Sequence, residues 1–126
     1  MIVGTGTDVI SIPQVKRLKD KYGNKFLDKI FTPSEKKYCQ QFGNASQHYA
    51  ARFAAKEAVA KSLGIGFGTC LDWKDIVVYQ NELGKPFVRF RNEIGRKVKS
   101  NGYTCHVSLA HNRDMASAIS ILECCG

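Results

Sequence analysis

No apolar run in the chain approaches membrane-span length, and its first residues lack the charged-then-apolar layout of a secretion signal, so a cytoplasmic protein without a membrane role is expected. The five cysteines form no C-x-x-C pair: Cys39, Cys70 and Cys105 stand singly, and Cys124 and Cys125 are neighbours in the tail. That spacing removes the common zinc layouts and any disulfide framework. The third glycine of a dinucleotide fingerprint is also missing after Gly4-Thr5-Gly6, and no βαβ pattern follows, which excludes a Rossmann domain. Acidic residues are scarce, with 11 Asp and Glu against 19 Lys and Arg, a net charge of +8. Such an excess calls for an acidic partner: nucleic acid, an anionic nucleotide cofactor or an acidic protein. Linkers, repeats and low-complexity tracts are absent too, so residues 1–126 read as one domain. The single tryptophan, Trp73, is expected in the core or at an interface.

What is present divides cleanly at its punctuation. Residues 2–10 read as a strand, followed by a helix with Pro13 in its first turn and Gly23 beyond its end. A short helical piece covers 24–30. Thr32-Pro33-Ser34-Glu35 is a capping-box start for a helix running to about Phe42, and an alanine-rich helix of roughly 45–63 stops at Gly64. Residues 76–79 and 87–90 predict two strands around the turn Asn81 to Lys85, and 92–100 a further helix ending at Gly102. A hairpin, 104–110 with 115–122, closes the chain through His111 to Asp114. This order predicts an α+β fold, an antiparallel sheet packed with helices.

Two carboxylates stand where apolar residues are expected. Asp8 is the only charge in the strand Ile2 to Ile12, where burial makes an unpartnered acid costly. Glu57, at about 100° per residue, falls on the same side of the alanine-rich helix as Ala50, Phe53 and Ala60, with Lys61 one turn on. A turn aspartate and a surface Glu57–Lys61 pair would account for each separately. Taken together they suit one hard cation, since Mg²⁺ favours one or two carboxylates completed by waters and phosphate oxygens. The glycines Gly64, Gly66 and Gly68 form a loop whose N–H groups could approach a phosphate.

Five segments, Asp8-Val9-Ile10-Ser11-Ile12, Phe31 to Glu35, Arg52-Phe53-Ala54-Ala55-Lys56-Glu57-Ala58 with Lys61, Gly84-Lys85-Pro86, and His106 to His111, occur in one order over nearly the whole chain. In order and spacing the chain resembles the holo-acyl-carrier-protein synthases, the small trimeric type of 4'-phosphopantetheinyl transferase. The resemblance implies that family's fold and a Mg²⁺-dependent transfer of 4'-phosphopantetheine from coenzyme A to a serine of apo-acyl carrier protein. Adenosine 3',5'-bisphosphate would be left, and the product would serve fatty acid biosynthesis. It implies Asp8 and Glu57 as metal ligands, Glu57 as candidate base and Lys61 as the lysine that neutralises the phosphates. Arg52, Lys56, Lys61, Gly64, Gly66, Lys85, Pro86 and His111 would bind the cofactor, in a homotrimer with active sites at subunit boundaries. Many relatives carry an acidic residue where Ser11 stands and an arginine where Gln14 stands. The basic segment Lys16 to Lys21 is then the expected docking surface for the acidic carrier. Two other functions draw on the same residues: a Mg²⁺-dependent pyrophosphate hydrolase, and a nucleic-acid-binding domain using the +8 charge.

Overall fold

The computed structural model describes residues 1–68 and 70–125. In chain order the elements are β1 (Ile2–Ser11), α1 (Ile12–Tyr22), α2 (Asn24–Ile30), α3 (Pro33–Gln40), α4 (Ala45–Leu63), a 3₁₀ turn (Trp73–Asp75), β2 (Ile76–Gln80), β3 (Pro86–Phe90), α5 (Asn92–Ser100), β4 (Tyr103–His111) and β5 (Met115–Cys124). Strands β1, β5 and β4 form one antiparallel sheet in that order, and β2 with β3 forms a separate hairpin. The C-terminal strand is therefore central, pairing Asp8 with Ala118 on one side and Leu109 with Ala118 on the other.

Helix α4 lies across the inner face of this sheet. Its alanines make that approach possible: Ala54, Ala55 and Ala58 are buried against Ala118 and against Val78 of β2. Glycines on β1 bring the two backbones closer still. A Cβ on Gly4 would stand 1.9 Å from the carbonyl oxygen of Ser62, and one on Gly6 2.0 Å from that of Ala58. Gly4 and Gly6, which carry no dinucleotide motif, are thus contact points between strand and helix.

Local signals set the helix ends. Ser11 caps α1 by accepting the Gln14 N–H at 3.2 Å, so this position serves the helix start. Gly64, at φ 72°, closes α4 in the left-handed conformation. The α3 helix stops at Gln40, short of the expected Phe42. There the Gln41 and Phe42 N–H groups reach back only three residues, to Tyr38 and Cys39, tightening the last turn into 3₁₀ form. Helix α4 also departs from the amphipathic expectation, being buried on most sides. Phe53, Glu57 and Lys61 lie on its more open line, so Glu57 is half-buried at an edge instead of turned into the core.

A buried ion pair ties the smaller elements to α4. Lys56 and Glu35 are both 0% exposed at the side chain and meet at 2.8 Å. Lys56 Nζ also donates to the carbonyls of Ile30 (2.7 Å) and Trp73 (3.0 Å), using all three of its protons. Glu35 Oε1 accepts the Thr32 N–H (2.9 Å), and its Oε2 accepts the Val78 N–H (2.8 Å), occupying the edge of β2 turned away from β3. Burial lowers the Lys56 pKa, while Glu35 beside it favours the charged form. No helix among the described residues is long and apolar enough to cross a membrane.

Candidate active site

Asp8 points from β1 toward α4 because it follows Gly4 and Gly6 in the alternation of the strand. There it meets Lys61, whose Nζ lies 3.3 Å from Asp8 Oδ1 and donates to the Thr7 carbonyl at 2.8 Å. Glu57, one helical turn before Lys61, completes the group. Burial raises its pKa first, the Asp8 charge raises it further, and Lys61 opposes both. Lys61 pairs with Asp8 alone, and Glu57 stands close enough to feel both charges, so the two carboxylates face one ammonium and a hard divalent cation would neutralise the remainder. Among the described residues no cluster of three or more His, Cys, Asp or Glu forms. Two oxygen donors, with further places left for waters and phosphate oxygens, fit Mg²⁺ better than zinc.

A second group of candidates surrounds a cavity of about 380 Å³ between α4, the β2–β3 turn and the end of β4. Arg52, Lys85, Pro86 and His111 line it, together with His48 and Gln80, and none of its lining residues is acidic. Arg52 is 2% exposed. Its guanidinium lies 4.0 Å from the centroid of the Tyr38 ring, and its Nη2 donates to Gln80 Oε1 at 3.0 Å. Its Nε is buried with no hydrogen-bond partner among the described residues. Gln47 contacts the His111 ring, 2.9 Å from Nε2, and so fixes it at the cavity rim. A guanidinium, an ammonium and two imidazoles with no carboxylate among them give the cavity a lining that could hold an anion.

Other expected cofactor contacts fall elsewhere. Lys56 does not reach the cavity: its ammonium is consumed by Glu35 and two carbonyls inside the protein, which corrects its expected role to a structural one. Gly64 and Gly66 do not line the cavity either. The Gly64 N–H is spent on the Lys61 carbonyl, the Ile65 N–H on that of Ala60 and the Gly68 N–H on that of Leu71, so these three donors close the helix end and the loop. Phe67 from the same loop stacks on Trp73, ring centroids 3.8 Å apart, and Trp73 stacks in turn on Phe53. His48 was not marked by any motif; only its place one turn before Arg52 on α4 hinted at the cavity.

The two groups occupy opposite flanks of α4. From Arg52 to Glu57 the helix turns about 140° net, and from His48 to Glu57 about 180°. Across the sheet Asp8 sits on β1 and the cavity residue Leu109 on β4, with Ala118 of β5 between them.

Residues 4–116 match the 4'-phosphopantetheinyl transferase superfamily. The chain belongs to this family. It is 41% identical over 124 residues to the holo-[acyl-carrier-protein] synthase of Syntrophus aciditrophicus, covering 98% of this chain and 97% of the relative. The crystal structure of the Neisseria meningitidis synthase superposes with a TM-score of 0.89 at 32% identity, over 98% of this chain and 99% of that one. The Bacillus anthracis synthase, solved in complex with CoA (3',5'-ADP), superposes at 0.84 with 30% identity over 99% of each chain. The α+β architecture with antiparallel sheets is thus that of this family.

Proposed function

We propose that the chain is a holo-[acyl-carrier-protein] synthase, which moves 4'-phosphopantetheine from coenzyme A to a serine hydroxyl of an apo-acyl carrier protein. The observation that carries this reading is the 3.3 Å approach of Lys61 to Asp8, 53 residues away in the chain, beside Glu57, whose carboxyl feels both charges. The serine oxygen forms a bond to the pantetheine-side phosphorus. The pyrophosphate P–O bond breaks, and adenosine 3',5'-bisphosphate leaves.

Asp8 and Glu57 are the residues that would hold Mg²⁺, which supplies polarisation of the attacked phosphate. Glu57, whose carboxyl is pushed above the usual range by burial and by Asp8, is suited to accept the serine proton. Lys61, anchored on Asp8 and the Thr7 carbonyl, supplies positive charge where the leaving phosphate gathers negative charge. The anion cavity of Arg52, Lys85, Pro86 and His111 takes the nucleotide end of CoA. Basic residues on α1, Lys16, Arg17, Lys19 and Lys21, offer a surface for the acidic carrier, and the reaction belongs to the cytoplasm.

The placement of metal pair and cavity on opposite flanks of α4 supports an oligomer in which one subunit's cavity faces its neighbour's Asp8 and Glu57. The outer face of the three-stranded sheet supports the same reading. There Val9 is 61% exposed, Ile119 41% and Met115 38%, an apolar surface suited to a second copy of the chain. A homotrimer is the assembly proposed.

The test is mass spectrometry of an apo-carrier incubated with the protein, CoA and Mg²⁺. Transfer adds phosphopantetheine to the carrier. CoA cleavage without that addition means hydrolysis, and neither means a binding domain. Asp8→Ala and Glu57→Ala should each abolish transfer while circular dichroism stays native. Mixing Asp8→Ala with Arg52→Ala subunits should restore part of the activity, because one kind of mixed interface then carries both intact halves. No recovery from co-refolded mixed oligomers would refute the shared site.

A further inference from the structure

We infer that His48 is a phosphate-binding residue of the cavity and takes up a proton from solvent as the phosphate group of the nucleotide binds. This rests on reading the cavity as the site for the nucleotide end of CoA. His48 lines the same cavity as Arg52, Lys85 and His111. Its ring is held in place from behind: it stacks on Phe42 with centroids 3.7 Å apart at 18°, and Tyr38 meets it edge-on at 6.0 Å. An imidazole so fixed presents a donor at low conformational cost.

The charged groups around it are all basic. From its own helix comes Arg52, from the end of β4 His111, from the β2–β3 turn Lys85, and from α3 only the neutral Tyr38; no carboxylate lines the wall. Burial, then Arg52, then His111 lower the His48 pKa, so near neutral pH the ring is uncharged in the free protein. A phosphate entering among these groups reverses the sign of the local field and favours the imidazolium, which then donates a charge-assisted hydrogen bond. Binding consumes the ligand and one proton, so affinity contributed by His48 falls as pH rises through neutrality.

The experiment is isothermal titration of the intact protein with adenosine 3',5'-bisphosphate between pH 6 and pH 8, in buffers of different ionisation enthalpy. Wild-type protein is compared with His48→Phe, which keeps the stack on Phe42, and with His48→Gln, which keeps a neutral donor. The wild type should take up more protons at pH 7 than either variant. His48→Phe should bind about tenfold more weakly at pH 6 and almost equally at pH 8, as a one-proton linkage changes affinity by at most about tenfold per pH unit. The phosphates and His111 titrate in all three proteins, so the difference reports His48 together with its coupling to His111. Equal affinities and equal proton uptake in all three proteins would overturn the role of His48 while leaving the cavity assignment standing. Absence of binding by the wild type at either pH would overturn both.

Discussion

Replacing Gly6 by alanine should remove activity through the backbone, without touching a catalytic side chain. A Cβ there would lie 2.0 Å from the Ala58 carbonyl oxygen and 2.9 Å from both the Lys61 Cβ and the Ser62 nitrogen. Real Cβ contacts essentially never fall below 3.0 Å, so strand and helix must separate by at least about 1 Å, the difference between 3.0 and 2.0. Neither neighbour can yield cheaply, because the first obstruction is backbone inside α4. Overpacking of this kind costs about 1–3 kcal/mol and sometimes more. Asp8, two residues along the same strand, retreats with Gly6, and the 3.3 Å contact to Lys61 opens. A displacement of about 1 Å between reacting groups is worth roughly a hundredfold in rate. Gly43→Ala is the control: a Cβ added there would meet nothing within 4 Å. Thermal melting and carrier-modification rates should therefore be near wild type for the control, with both reduced for Gly6→Ala. A Gly6→Ala protein that melts with the wild type and modifies the carrier at full rate would refute the close strand–helix contact as the element that positions Asp8.

Metal-free protein should show the cost of the carboxylate pair directly. The raised Glu57 pKa means that the protonated form is favoured on folding, so its stabilising contribution is complete below the ordinary carboxylate range and is lost as pH rises through the folded value. Glu57→Gln should then melt at or above wild type at pH 7 without Mg²⁺, with the gain vanishing near pH 4; differential scanning fluorimetry across that range checks the sign. Mg²⁺ should raise the melting temperature of wild type but not of Glu57→Gln, since binding to the folded state alone stabilises it. Lys56→Met leaves the Glu35 carboxylate buried without its ammonium and should destabilise by about 3–5 kcal/mol in urea denaturation. Adding Glu35→Gln to it should recover part of that loss, whereas independent surface effects would simply add.

Element positions were readable because their signals are local: Thr32 with Glu35, Gly64 after the alanine run, and the turn at Asn81 each act within a few residues. The carboxylate pair was readable for a related reason. An acid inside an apolar strand asks for a partner, and Glu57 with Lys61 offered one at helical spacing. What stayed hidden depends on which elements meet. Lys56 and Glu57 are adjacent in sequence but are separated by about 100° of helix, which sends one into the ion pair with Glu35 and leaves the other at an open edge. The glycines of β1 carry no pattern of their own, and their role exists only where α4 crosses the sheet. His48 becomes a cavity residue because the turn after α3 supplies Phe42 behind it and β4 brings His111 in front. The same crossing of α4 over β1 and β5 puts Asp8 with Glu57 and the cavity of Arg52 with His111 on opposite flanks of one helix. If the proposed cofactor's phosphates reach both, a neighbouring copy that turns its β1 edge toward this chain's cavity would join them, and the proposed assembly would be a condition of the proposed catalysis.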